Sequence, residues 1–99
     1  MIALAFAAAL LSQQGTWIGF GKMSCATWNS GRSTSSAEGR AYILGWWTGR
    51  NSGLSAEVGH STDGDGIIEE VRLVCRAAPS LDLGTATFRV WETMRAAGR

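Results

Sequence analysis

Apolar positions in the second half of the chain recur every three or four residues, which is the period of an amphipathic α-helix. One such stripe runs from Ile67 to Ala78 and ends before Pro79. A second stripe begins after Asp82 and stops at Gly98. Its members are Leu83, Thr87, Val90, Met94 and Ala97, with Trp91 beside them. The pattern predicts two helices here, and no stretch of the chain alternates in the way that is typical of a β-strand.

Signals for helix starts predict further helices in the first half. Ser24 is a suitable N-cap for a short helix over residues 24–29. Ser35 followed by Glu38 matches a capping box, so a longer helix should begin near Ala37. The fold class is therefore predicted to be all-α, a small bundle of three to four helices.

The longer helix carries the segment "YILGWWTGRNSG", which spans residues 42–53. Gly45, Gly49 and Gly53 are spaced four apart and fall near one stripe of the helix, together with Trp46. Each interior glycine costs a helix about 1 kcal/mol relative to alanine. Close approach of a second helix would compensate for this cost. We therefore expect these three glycines to be helix-packing positions.

The first eleven residues, "MIALAFAAALL", form an uninterrupted apolar run before the polar "SQQG". The run is too short to cross a bilayer, which needs about twenty residues. It matches the hydrophobic centre of a secretory signal peptide, although no basic residue precedes it and no A-x-A cleavage site follows. We expect residues 1–14 to be a signal peptide or an N-terminal apolar helix. Residues 15–99 would then form a periplasmic or secreted domain.

Two cysteines, Cys25 and Cys75, are separated by 49 residues. In an exported protein an isolated pair is most simply a disulfide. Closing a loop of this length stabilises a fold by roughly 4 kcal/mol on the chain-entropy model. The alternatives are weaker, because a zinc site needs four ligands and His60 would supply only a third. A redox centre would need a C-x-x-C motif, which the sequence lacks.

The composition argues against nucleic-acid binding and offers little for catalysis. The formal net charge is +1, and the basic residues are scattered singly, so no stripe is suited to phosphates. His60 and the nearby Asp63 and Asp65 share one short glycine-rich loop, where a catalytic triad rarely finds its geometry. The same loop fails as an EF-hand, because Ile67 stands at a ligand position, and helix capping explains both acids better. We expect no enzyme activity, no metal and no cofactor.

Four segments together resemble small exported bacterial proteins related to the HdeA and HdeB acid-stress chaperones. The segments are "SCATW" (24–28), "LGWWTGRNSG" (44–53), "STDGDGI" (61–67) and "VRLVCRAAPSLDL" (71–83). The same order of features is similar to the Tai-type amidase-immunity proteins. Either resemblance implies an all-α domain with a bridge between Cys25 and Cys75. The first implies a chaperone that loosens in acid, and the second implies an inhibitor that covers a partner enzyme.

The expected activity is therefore binding to other proteins. Trp and Arg are favoured anchors in protein interfaces, and Trp28, Trp47 and Arg50 are the candidates, although the tryptophans could equally fill the core. The partner would be an unfolded client, one specific enzyme or a second copy of the chain. An envelope protein with no specific ligand is the remaining alternative. No nucleic-acid partner and no integral membrane span are expected.

Overall fold

The computed structural model describes residues 16–99, and within that range every regular element is a helix, with no β-strand. A 3₁₀ turn over Gly19–Lys22 precedes helices α1 (Cys25–Trp28), α2 (Ser33–Leu54), α3 (Gly64–Ala77) and α4 (Leu83–Ala96). The predicted all-α bundle is confirmed. The predicted leader, residues 1–14, lies outside the described residues.

Three of the predicted helix starts are correct, including that of α4 directly after Asp82, and a fourth is wrong. The Ser24 hydroxyl accepts a hydrogen bond from the Thr27 amide at the start of α1, as an N-cap should. At the start of α3 the Asp63 carboxylate accepts one from the Gly66 amide. Helix α2 begins at Ser33, four residues before the predicted start near Ala37. The amide of Ser36 already donates to the carbonyl of Arg32, so the helical ladder is in place before the expected capping box.

The predicted stripes of α3 and α4 form most of the core. Helix α3 buries Ile67, Ile68, Val71 and Cys75, and α4 buries Leu83, Gly84, Ala86, Thr87, Val90, Trp91 and Met94. Ala97 was expected to extend the second stripe, but it lies beyond the end of α4 and is exposed. Gly98 follows it with φ +70°, a left-handed conformation that suits glycine at a helix end.

The segment before α1 lies alongside the loop that joins α3 to α4. The Cys25 amide donates to the Leu81 carbonyl at 2.8 Å, and the Leu83 amide donates to the Met23 carbonyl at 2.7 Å. This pairing brings Cys25 beside Cys75, and the two are joined in a disulfide with their Cα atoms 4.8 Å apart. Both cysteines are buried. The predicted bridge between the first helix and α3 is confirmed.

Helix α2 presents a different face to the core from the one that the glycines indicated. Ile43 and Trp47 are buried on it, while Gly45, Gly49 and Gly53 are exposed. A Cβ atom built on any of these three glycines would meet no atom of residues 16–99 within 4 Å. The prediction that they are helix-packing positions is therefore wrong within this range. The apolar residues of α2 surround too much of the helix for their period to select one face.

Candidate partner-binding surfaces

Two of the three predicted partner-binding residues belong to the core. Trp28 has no exposed surface, and its indole Nε1 donates to the Ser36 carbonyl at 3.3 Å. The Arg72 guanidinium lies 4.4 Å from the centre of the Trp28 ring. Trp47 is only 3% exposed, and its Nε1 donates to the Val58 carbonyl at 2.8 Å. Neither indole is accessible to a partner while the domain is folded, so the prediction that they are exposed anchors is wrong for this closed fold.

Arg50, the third candidate, lies over a group of aromatic rings. Its guanidinium carbon is 4.8 Å from the ring centre of Trp91, 5.3 Å from that of Phe88 and 6.0 Å from that of Trp46. One guanidinium nitrogen is 3.6 Å from a carboxylate oxygen of Glu92. The Nε atom is buried and has no hydrogen-bond partner among the described residues. Arg50 is thus held in place mainly by ring faces, through cation–π attraction.

Trp46 is at the centre of this aromatic group. Its ring makes edge-to-face contacts with Trp17, Trp47, Phe88 and Trp91, with ring centres 6.2 to 6.4 Å apart. Three of the five rings, those of Trp17, Trp46 and Phe88, are only half-buried. We call these three rings together with Arg50 the aromatic surface. Of its members only Arg50 is predicted from the sequence, because the four residues come from three separate segments of the chain.

Three carboxylate–guanidinium pairs connect different helices on the outside of the domain. Arg40 of α2 pairs with Asp65 of α3, and Arg50 of α2 pairs with Glu92 of α4. Beyond α4, Arg99 pairs with Glu70 of α3 at 3.1 Å. All six side chains are at least a third exposed to solvent. These pairs therefore depend on both charges being present and are screened by salt.

The loop that carries the only histidine supports the structure around it. His60 is exposed, and its Nε2 lies 3.1 Å from the Gly98 carbonyl. Asp63 caps α3, and Asp65 is paired with Arg40. Within residues 16–99 no group of three or more histidine, cysteine, aspartate or glutamate side chains could hold a metal ion. His60, Asp63 and Asp65 thus each have a polar partner in the fold.

The environment of Tyr42 perturbs its phenol. It is half-buried on α2 against the 3₁₀ turn, where a Cβ on Gly21 would overlap the phenol. Burial of the hydroxyl raises the pKa of Tyr42 above its ordinary value of 10.0, because the phenolate would lose hydration. The phenol therefore packs closely against the turn at Gly21.

Comparisons of the chain with protein-family models, with curated proteins and with solved structures find no match. Across residues 16–99, no helix has both the length and the hydropathy needed to cross a bilayer.

Proposed function

We propose that this chain is a small exported, non-enzymatic domain that binds other proteins, and that it acts as an acid-stress chaperone of the HdeA and HdeB kind. The observation that carries the proposal is the set of three ion pairs between helices. Each pair uses one carboxylate, Asp65, Glu70 or Glu92, to hold a guanidinium of another segment. Acid strong enough to protonate these carboxylates removes the negative partner of every pair.

Acidification also changes the charge of the whole domain. Protonating all eight carboxylates leaves nine lysines and arginines and a protonated histidine, so the formal charge rises from +1 to +10. An exposed ion pair contributes only about 0–1 kcal/mol, but self-repulsion of this size adds to the loss. Both effects favour separation of the helices that these pairs connect. Separation would expose Ile43, Trp47 and Trp91, which are buried at neutral pH and would offer apolar surface to unfolded clients.

A dye-binding experiment tests the chaperone proposal. The domain with its disulfide intact is titrated from about pH 7 to pH 2 while the fluorescence of a hydrophobic dye is followed. We expect dye binding to begin below about pH 5, and we expect the acid form to suppress aggregation of an unfolded client protein. A domain that binds no dye and protects no client at pH 2 would refute the proposal.

Two double variants test whether the ion pairs set the opening pH. Glu70→Gln with Glu92→Gln removes two pairs between helices. Glu38→Gln with Glu57→Gln removes the same charge from two exposed carboxylates that pair with no cation in residues 16–99. We expect dye binding to begin at a higher pH in the first variant. Equal shifts would show that overall charge, and not the ion pairs, governs opening.

The aromatic surface favours a second function, that of an immunity-type inhibitor. Trp46 and Phe88 are half-buried beside Arg50, and aromatic rings with arginine are frequent anchors of protein interfaces. An inhibitor should stay folded in acid and capture a single partner from an envelope extract. Phe88→Ala should weaken that capture, while Arg32→Gln, on an exposed residue before α2, should leave it unchanged. Equal capture by both variants would exclude the aromatic surface as the contact.

A further inference from the structure

A groove between α3 and α4 lies on another side of α4 from the aromatic surface and encloses a cavity of about 310 Å³. Its lining includes Val74 of α3 and Val90 and Met94 of α4. Val90 and Met94 are buried and Val74 is half-buried, so the floor of the groove is apolar and aliphatic. The volume lies at the lower end of the range of roughly 300–1,000 Å³ that is usual for small-molecule sites.

The rim of the groove carries one cation more than its anions. Glu70 is the one acid of the lining, and Arg99 pairs with it at 3.1 Å. Arg89 is then the cation of the rim that has no acid to pair with. Arg89 is exposed and makes no ion pair, hydrogen bond or ring contact with another residue of the described range. A guanidinium with no partner presents its donors in the fork that matches a carboxylate. The charge of the rim therefore complements a single anionic group.

The shape of the groove favours a ligand with a free end. The pair between Glu70 and Arg99 joins α3 to the residue beyond α4, so it crosses one end of the groove. A helix of a partner protein would have to pass this pair, whereas a short chain can stop before it. From Arg89 to Met94 the helix rises about 7.5 Å, at 1.5 Å per residue, which is the length of an alkyl chain of roughly six carbons. Methionine is flexible enough to adapt to such a chain.

We propose that this groove binds a free aliphatic carboxylate of medium chain length. The carboxylate pairs with Arg89, and the alkyl chain lies over Val74 and Val90 toward Met94. This site is separate from the protein-binding function proposed above, and it needs no opening of the helices.

Octanoate, used below the concentration at which it forms micelles, tests the site in the folded domain at neutral pH. In a titration followed by amide chemical shifts, we expect the largest changes at Val74, Val90 and Met94. Octanol, which has the same chain without the charge, should bind more weakly. Within a series of carboxylates, each methylene removed should weaken binding by about fourfold. Absence of shifts in the groove, or largest shifts at the aromatic surface, would overturn the proposal.

Three variants distinguish the contribution of the ligand's carboxylate from that of its alkyl chain. Arg89→Gln should weaken octanoate by about threefold to tenfold and leave octanol unchanged, since only the charged bond is lost. Arg32→Gln lowers the net charge equally, far along the chain from the groove, and should bind like the unmodified domain. Val74→Phe should fill the groove and weaken both ligands. The proposal fails if Arg89→Gln and Arg32→Gln weaken octanoate equally, or if Val74→Phe binds both ligands as tightly as the unmodified domain.

Discussion

Four glycines of α2 should respond in opposite directions when each is replaced by alanine. Gly45, Gly49 and Gly53 face open space among residues 16–99, so an added methyl group meets nothing there. Each replacement should stabilise the domain by up to about 1 kcal/mol, because alanine loses less backbone entropy in a helix. Gly53 should give the smallest gain, since it lies one residue before the end of α2. Gly39 is different, because a Cβ there would overlap the buried ring of Trp28.

The magnitude at Gly39 follows from the packing around it. Trp28 has no exposed surface and cannot move outward without breaking its hydrogen bond to Ser36. The same Cβ would lie 3.3 Å from a methyl group of Leu83, which is also fully buried. Overpacking of a core costs about 1–3 kcal/mol, which exceeds the gain of about 1 kcal/mol in helix propensity. Gly39→Ala should therefore destabilise the domain by up to about 2 kcal/mol.

Thermal and urea unfolding, followed by far-ultraviolet circular dichroism, measure these changes. For a domain of this size 1 kcal/mol corresponds to a shift in Tm of about 4–8 °C. The three outward alanines should raise Tm, and Gly39→Ala should lower it. A fall in Tm for Gly45→Ala and Gly49→Ala would mean that this face of α2 is packed after all. A rise for Gly39→Ala would contradict the close contact with Trp28.

Three further changes test other parts of the fold. Replacing Cys25 and Cys75 by alanine should cost roughly 4 kcal/mol, because the disulfide joins residues 50 apart; urea unfolding measures the loss, and a cost below about 1 kcal/mol would contradict it. Since both cysteines are buried, a reductant should open the bond only as fast as the domain unfolds. Arg72→Met loses two hydrogen bonds and the cation–π contact with the Trp28 ring, so it should lower the free energy of unfolding by about 1–2 kcal/mol. Arg76→Met changes an exposed side chain of the same helix and serves as the control. Similar losses in both variants would refute the stabilising role of the Arg72 contacts. Because burial raises the pKa of Tyr42, its contribution to stability is full below about pH 10 and is lost as pH rises through the raised value. Unfolding at about pH 9 and pH 11 should therefore show a larger loss for the unmodified domain than for Tyr42→Phe, and equal losses would count against this explanation.

Helices α3 and α4 could be predicted because their polar and apolar residues are well separated. A clear period, an acidic N-cap and a terminating proline or glycine all agreed on the same elements. The position of α2 along the sequence could be predicted, but the face that it buries could not. Five of the six residues from Tyr42 to Trp47 are large and apolar, so they cover more than half of the helix surface. Only the contacts of Ile43 and Trp47 with the other helices select the buried face.

The aromatic surface could not be predicted, for a related reason. Trp17, Trp46 and Phe88 are far apart in the sequence, and no regular spacing relates them. Trp17 can reach the other two rings because Gly84 has no side chain. A Cβ on Gly84 would overlap Trp17, so the glycine lets the indole lie directly on α4. Such a close approach depends on two elements at once and leaves no periodic signal in either.

The bond between the two sulfur atoms closes residues 25–75 into a ring, and the tail that follows Cys75 lies outside it. The ring holds all of α2 and most of α3, so these two helices stay tethered at both ends however far the bundle loosens. Helix α4 follows Cys75 and lies wholly on the tail, where only noncovalent contacts hold it. Loosening of this domain should therefore begin with the departure of α4, and limited proteolysis in acid should trim the chain from its carboxyl end while the ring stays whole.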